Sequence, residues 1–282
     1  MVGWVDAWWL RLALGLLGSG IIALAAYRVR SLSGSGALAA IIMGTSYVTL
    51  GGPLWFGALM VFFVTSTALS KFKRRHRAKQ DAEANYAKGS RRDAGQVWAN
   101  GGLGLILCAA HAIWPDPLWL YAFVGVMASV NADTWATELG ALSRVEPRAI
   151  LGGARVPAGT SGAVTPLGSM AALAGAAVIG AAAALLISPW VTGGPGEVLP
   201  GVLVAVGCLA GTAGAFADSL LGATVQAMYR CPVCGVQTER AEHCGAVAKR
   251  ISGYGWMTND AVNLFSSAAA AVLAGVIGIL IA

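Results

Sequence analysis

Residues 129–140 read SVNADTWATELG and close an apolar run that begins near Pro117. The run is long enough for a membrane span, about 20 residues. The stretch sets Asn131, Asp133, Thr134 and Glu138 at or just inside the edge of that span. Carboxylates at such depth are costly and default to a functional reading.

Composition agrees with a membrane setting. The chain has 282 residues, 57% hydrophobic and only 11% charged. A soluble domain carries about 25% charged residues. The 38 glycines suit helices that pack closely through small-residue faces. Eight spans are expected, near 5–27, 34–51, 54–70, 96–114, 117–140, 164–187, 199–224 and 259–281, in one integral-membrane domain over 1–282. Seven is the alternative count, with the second and third runs as a re-entrant pair. The fold class is therefore all-α, a polytopic transmembrane helix bundle.

Charge fixes the expected orientation. Of 19 Lys and Arg, 18 fall in 28–30, 71–92, 144–155 and 230–250, which are alternate loops. The loops between them, around 52–53, 115–117 and 188–200, carry none. The positive-inside rule assigns the basic loops to the cytoplasm and both termini to the outside. Arg11 alone disagrees, and a long side chain there can snorkel or face the bundle interior. The net charge of +6 is thus a matter of topology, and no nucleic-acid partner is expected. No signal peptide is evident; Trp4, Trp8 and Trp9 read as an interfacial anchor instead.

The helical period places Asn131, Thr134, Trp135 and Glu138 on one face and turns Asp133 toward Thr137 and Gly140. One straight helix cannot aim every acid at one point. Either it lies between neighbours or it unwinds here. A polar cluster that locks helix packing is the structural alternative to a metal or phosphate site. A second acid, Asp218, shares a face with Gly211, Gly214 and Gly222. Ala132-Asp133-Thr134 echoes Ala217-Asp218-Ser219 near the cytoplasmic ends of two spans that run the same way. Asn259, Asp260 and Asn263 open the last span, where a helix N-cap is the plain reading.

Asp133, Glu138, Asp218 and Asp260 thus stand at the cytoplasmic ends of three spans. Oxygen ligands of this kind suit Mg2+ shared with substrate phosphates. Arg91, Arg92, Arg144, Arg148 and Arg155, with Lys71 and Lys88, supply phosphate clamps on the same side. The kit fits phosphoryl or nucleotidyl transfer to a lipid-borne phosphate. The basic loop 71–93 reads plainly as a solvated, lipid-facing loop. Its continuation into Gln96 and Asn100 points instead into a helix terminus. The segment PAGTSGAVTPLG at 157–168 can offer backbone N–H groups to phosphates before a span, though an ordinary flexible loop has the same composition.

Cys108 and Cys208 sit in apolar runs as inert core thiols. In the loop 226–258, Cys231-Pro-Val-Cys234 has the spacing of a zinc knuckle, and His243 and Cys244 would complete a tetrahedral site. A reducing cytoplasm disfavours a disulfide there.

SVNADTWATELG, RRDAGQVWANG, PAGTSGAVTPLG, GAFADSLLGATVQ, the CPVC…HCG loop and Asn259-Asp260…Asn263 occur in that order. Together they resemble the integral-membrane phytyl-phosphate kinase family of vitamin E synthesis, over about residues 30–282. The family is distantly similar to dolichol kinases and CDP-lipid synthases. The resemblance implies phosphorylation of a phytyl- or geranylgeranyl-type monophosphate to the diphosphate by a nucleoside triphosphate, with CTP the expected donor. It carries over Arg92, Asp93, Gln96, Asn100, Asn131, Asp133, Thr134, Glu138, Gly159, Thr160, Asp218, Asn259, Asp260 and Asn263. The chain departs from the family at Thr160-Ser161-Gly162-Ala163, where Thr-Asn-Gly-Gly is the expected run. The acids would hold Mg2+ or orient the acceptor, and Arg91, Arg92 and Arg144 would neutralise phosphates. The apolar tail would lie in a groove between spans. A CDP-lipid nucleotidyltransferase and a transporter or lipid flippase are the rival classes.

Overall fold

A computed structural model describes residues 7–72, 76–187 and 198–282. Trp4, residues 73–75 of the basic loop and most of the segment 188–200 lie outside the described residues. All eight expected segments are helices: α1 (Trp8–Arg28), α2 (Gly34–Leu50), α3 (Pro53–Lys71), α5 (Ala94–Ile113), α6 (Pro117–Gly140), α7 (Pro166–Leu186), α8 (Pro200–Thr224) and α9 (Asn259–Ile281). A short helix, α4 (Arg77–Glu83), lies between α3 and α5.

By length and composition, α1, α3, α5, α7, α8 and α9 can each cross a membrane. The 17-residue α2 is a shorter apolar helix. α6 is long enough, with 24 residues, but its second half is polar. Proline begins α3, α6, α7 and α8, where a missing N–H costs nothing. Side-chain caps from Ser33, Asp93, Asp116, Thr165 and Thr258 satisfy free N–H groups at five helix starts. The cap of α9 is therefore Thr258, so neither Asn259 nor Asp260 is the capping residue.

α6 is the hub, packed against α3, α5, α7, α8 and α9. Its residues from Leu120 to Ala132 are all buried. The helix stays continuous to Gly140, so the acids diverge because α6 sits between neighbours and not because it unwinds. Gly211 and Gly214 of α8 bring that helix onto Ala128 and Ser129, where a Cβ would collide. By contrast, α1 packs chiefly on α2. Leu17 and Ile21 of α1, Leu185 of α7, and Val272 and Leu280 of α9 are exposed, the outward apolar face a lipid-embedded bundle requires.

The loops carry small strands. β1 (Arg148–Ala149) pairs with β2 (Ala163–Val164) ahead of α7. Between α8 and α9, β3 (Met228–Arg230) lies at the centre of a three-stranded sheet with β4 (Gln237–Thr238) and β7 (Lys249–Ser252). β5 (Glu242–His243) and β6 (Ala246–Val247) make a hairpin in the same loop.

Candidate functional site

The chain alternates direction through the bundle. The ends of α3, α6 and α8 and the starts of α5, α7 and α9 therefore share one face. A cavity of about 370 Å3 opens there, within the usual range for small-ligand sites. Its walls include Arg92, Gln96 and Asn100 ahead of and within α5, Asp133, Thr134 and Glu138 of α6, Gly159 and Thr160 of the glycine loop, Asp218 of α8, and Asn259 and Asn263 of α9. The four basic segments open onto this same face. Arg91, Asp93, Asn131, Arg144 and Asp260 are not part of the cavity wall.

Arg92 is held by its backbone. Its N–H donates to Ser31 O at 3.0 Å and its carbonyl accepts from Ser33 N at 2.9 Å. Gly36 allows this approach, because a Cβ there would strike the Arg92 carbonyl. The guanidinium lies 5.6 Å from the centroid of Phe62 and donates to Thr67 Oγ1 at 3.3 Å. Among the described residues no carboxylate pairs with it. Burial pushes its pKa down and Glu138 opposes the shift; an arginine stays charged regardless.

The acids divide into two kinds. The Asp133 carboxylate has no hydrogen-bond partner among the described residues, and Asp218 Oδ2 accepts from Ser266 Oγ at 3.0 Å. Asp133 stands seven residues before the end of α6 and Asp218 six before the end of α8. The sequence echo thus corresponds to two packed helices that deliver matching carboxylates to one cavity. Glu138 is committed elsewhere. One oxygen accepts from Ser70 Oγ, and the other pairs with Lys79. Lys79 is itself 6% exposed and donates to the Leu69 and Phe72 carbonyls at 2.8 and 2.9 Å, closing the end of α3. The middle of the basic loop is therefore packed into the bundle, against the reading of 71–93 as a solvated loop.

Asp260 is paired with Lys88, which also holds Asp93 at 3.0 Å. Burial lowers the Lys88 pKa less than its bonds to Asp260 and Asp93 raise it, so it ends above the usual value. Asp93 ends below its usual value: burial raises it, but the Gln96 amide and Lys88 outweigh that. Asp93 caps α5 in a box with Gln96. Asn263 Nδ2 donates to Asn100 Oδ1 at 3.3 Å, tying α9 to α5. Asn131 is fully buried; its Nδ2 donates to Gly175 O at 2.7 Å and its Oδ1 lies 3.0 Å from Thr65 Oγ1. It locks α6 to α7 and α3. Arg91 Nε donates to Leu32 O at 3.1 Å and its guanidinium lies over Tyr27, while Arg144 is exposed.

The glycine loop rests on two helices. Gly159 abuts Ala82 of α4, and Gly162, at φ +74°, abuts Ser219 and Ala223 of α8. Both a left-handed backbone and close contact require glycine at 162. Ser161, at the departure from the expected run, donates to Gln226 Oε1 at 2.9 Å.

Cys231, Cys234, His243 and Cys244 offer ligand atoms that all lie within 4.8 Å of one another. His243 Nδ1 is 3.5 Å from Cys234 Sγ and 3.2 Å from Cys244 Sγ. Ligands around one tetrahedral zinc, at 2.0–2.3 Å each, stand roughly this far apart. All five cysteines are free thiols. Adjacent His243 and Cys244 can both serve because Cys244 and Gly245 form the two-residue β5–β6 turn at φ 52° and 72°. The reversal folds the Cys244 thiol back beside the imidazole.

This loop also supplies a cavity residue that the sequence reading missed. Glu239, just after β4, lines the cavity and accepts from Ala87 N at 3.0 Å. Burial pushes its pKa up, partly offset by that amide. Burial also pushes up the pKa of neighbouring Tyr86, with Glu239 adding to the shift. Glu239 carried no motif; only its position between the two halves of a zinc-ligand set could have flagged it.

The integral membrane protein family DUF92 matches residues 17–271. Protein PGR of Arabidopsis thaliana is 32% identical over 273 residues, covering 91% of this chain and 92% of its own. An uncharacterized membrane protein of Methanocaldococcus jannaschii is 31% identical over 216 residues, 76% of this chain and 83% of its own. No solved structure matches the chain. The family resemblance drawn from the motifs is borne out.

Proposed function

The chain belongs to the DUF92 family of integral membrane proteins, and from that premise we propose that it is a Mg2+-dependent phosphotransferase. Its acceptor is an isoprenyl monophosphate of phytyl or geranylgeranyl type, and its donor a nucleoside triphosphate, with CTP expected. The observation that carries this reading is one cavity that joins Asp133 and Asp218 to an Arg92 unpaired with any acid among the described residues. Cation donors without a carboxylate partner suit phosphate, and bare carboxylates suit a hard divalent cation.

In the reaction, a terminal oxygen of the acceptor phosphate attacks the γ-phosphorus. The bond from that phosphorus to the β-phosphate oxygen breaks, nucleoside diphosphate leaves, and a new P–O–P anhydride forms. The attacking oxygen is already anionic, so no strong general base is needed. Positioning and charge neutralisation supply the rate. Arg92 holds and neutralises phosphate from its clamped backbone. The glycine loop would offer the Gly159 backbone amide to the polyphosphate, while the Thr160 amide and hydroxyl both donate to the Pro157 carbonyl at 3.3 and 2.7 Å and hold the turn. Asp133 and Asp218 would hold Mg2+, which when bound supplies charge neutralisation between phosphates. Their fit rests on oxygen donors that face the cavity with few protein partners. Glu138 positions α4 through Lys79, and Asp260 positions Lys88.

We assign the basic face to the cytoplasm by the positive-inside rule, with both termini outside. We assign Cys231, Cys234, His243 and Cys244 to a structural Zn2+, since three thiolates and an imidazole are a common closed zinc set.

The test is purified, folded protein with Mg2+, geranylgeranyl or phytyl phosphate, and labelled CTP or ATP. Formation of prenyl diphosphate and nucleoside diphosphate is expected. No product with any prenyl phosphate would overturn the reading. Release of pyrophosphate would reassign the site to CDP-lipid synthesis. Gradient-driven movement of lipid in vesicles, without nucleotide turnover, would reassign it to transport.

A further inference from the structure

A second cavity, apolar and about 60 Å3 in volume, lies between α1, α2, α3 and α5. Ser19 and Ile22 of α1, Met43 and Gly44 of α2, and Phe56 and Met60 of α3 are among its walls. At one end stand Arg92, Gln96 and Asn100, and these three side chains also line the polar cavity. A nearly dry crevice and a polar cavity therefore meet at one guanidinium.

We propose that this crevice takes the first isoprenoid carbons of the acceptor while Arg92 holds its phosphate. The proposal rests on the phosphotransferase reading and names where that reaction seats its lipid. A ligand that matches both ends must be amphiphilic, with an anionic head and an apolar tail. Arg92 meets the head, with Thr67 taking one of its five donors. Phe62, stacked beneath the guanidinium, lines the crevice and begins the apolar wall. Burying tail carbons against that wall removes them from water or headgroups.

The size selects a single chain. About 60 Å3 accommodates roughly two water-sized groups, so the resting crevice admits the first carbons of a single chain and not the paired chains of a diacyl lipid. Longer tails need a wall that yields, and α1 is that wall. It packs chiefly on one helix, α2. Its Ser19 hydroxyl faces Gly44, is 4% exposed, and has no hydrogen-bond partner among the described residues. That joint carries an unsatisfied polar group, so moving α1 there breaks no side-chain hydrogen bond of Ser19.

The experiment uses the whole protein in detergent and a geranylgeranyl phosphate analogue with a diazirine on its first isoprene unit. Photolysis should put adducts on peptides of α1, α2 or α3 that contain crevice residues such as Met43 and Met60. Unlabelled geranylgeranyl phosphate should compete, and a diacyl phosphatidate should not. As a second readout, Met60→Trp should raise KM for geranylgeranyl phosphate about fivefold, with kcat and the nucleotide KM unchanged, the mark of lost uniform binding. Adducts confined to helices other than α1, α2, α3 and α5, competition by phosphatidate, or an equal rise in nucleotide KM would overturn the proposal. If the analogue is phosphorylated yet labels elsewhere, the crevice assignment fails while the phosphotransferase reading stands. If it is neither phosphorylated nor bound, both fail.

Discussion

Glu239 Oε2 accepts a hydrogen bond from the Ala87 amide, so the Cys/His loop and the segment ahead of α5 close over the cavity together. Three further bonds run alongside. Glu239 N and Thr238 Oγ1 donate to Asn85 O at 3.1 and 3.0 Å, and Arg240 Nε donates to Tyr86 O at 2.8 Å. The loop has little apolar core of its own, so a metal clip would be what fixes its shape. Purified protein should hold about one zinc per chain. Chelation or Cys234→Ser should speed amide hydrogen exchange at 85–87 and 237–240 and leave the helices protected. Less than about a tenth of an equivalent of zinc would remove the metal from this account.

Asp133→Asn and Asp218→Asn keep side-chain volume and remove charge from the cavity wall. Each should lower turnover by about a hundredfold or more, the scale for losing one preorganised charge contact. Thermal stability should not fall, since Asp133 gives up no hydrogen bond among the described residues and an amide oxygen at position 218 can still accept from Ser266. Activity within about twofold of the parent for both variants would contradict their assigned role.

Lys79 and Glu138 are a nearly buried ion pair, 6% and 20% exposed. Lys79→Met leaves Glu138 uncompensated and takes one donor each from the Leu69 and Phe72 carbonyls at the end of α3. The expected loss is about 3–5 kcal/mol. Lys79→Met with Glu138→Gln should recover part of it, and unfolding of the single and double variants measures the coupling.

Lys88 and Asp93 give a pH signature. The Asp93 pKa is lowered on folding, so its contribution is present above its unfolded value of about 3.9 and is lost as pH falls through the folded value. The Lys88 pKa is raised, so its contribution is present below about 10.4 and is lost as pH rises through the folded value. The cluster is therefore intact between about pH 4 and 10. More than a third of the Lys88 and Asp93 side chains is exposed, and the effect should be under about 1 kcal/mol and shrink with salt. A stability profile of Asp93→Asn should lack the acid-side loss seen in the parent.

A reporter active only outside the cytoplasm, fused after Ala282, should be active. The same reporter inserted in the basic loop near Asn85 should be silent. The reverse pattern would invert the bundle and separate its cavity from cytoplasmic nucleotide.

Span positions were legible because apolar run length and proline starts are local properties; the bounds of α6 and α9 coincide with those expected. Asp133 and Asp218 were legible because a carboxylate inside an apolar run stands out. The partition of acids between the cavity and structural pairs was not legible. It depends on Lys79 and Lys88, whose places are set by how α4 and the following segment fold back on the bundle. Asn131 shared a helical face with Thr134 and Glu138, yet one turn of depth separates a helix lock from a cavity wall. Glu239 was hidden because its neighbours along the chain are zinc ligands and its neighbours in space come from a distant loop.

The hub position of α6 bears on how this protein is made. Among the described helices of 18 or more residues it is the one not apolar enough to count as a membrane span by composition, and its Asp133, seven residues from the helix end, adds part of the roughly 2.5–3.5 kcal/mol that an Asp costs at a span centre during insertion from the translocon. A nascent chain that stops after α6 would therefore hold that segment poorly in the bilayer. Stable integration would await α7 and α8, which bury Asn131 and face Asp218 toward the same solvated hollow. Truncated chains ending near residue 150 should be extracted by alkali more readily than chains ending beyond residue 224, which makes assembly of this bundle a late and cooperative event in biosynthesis.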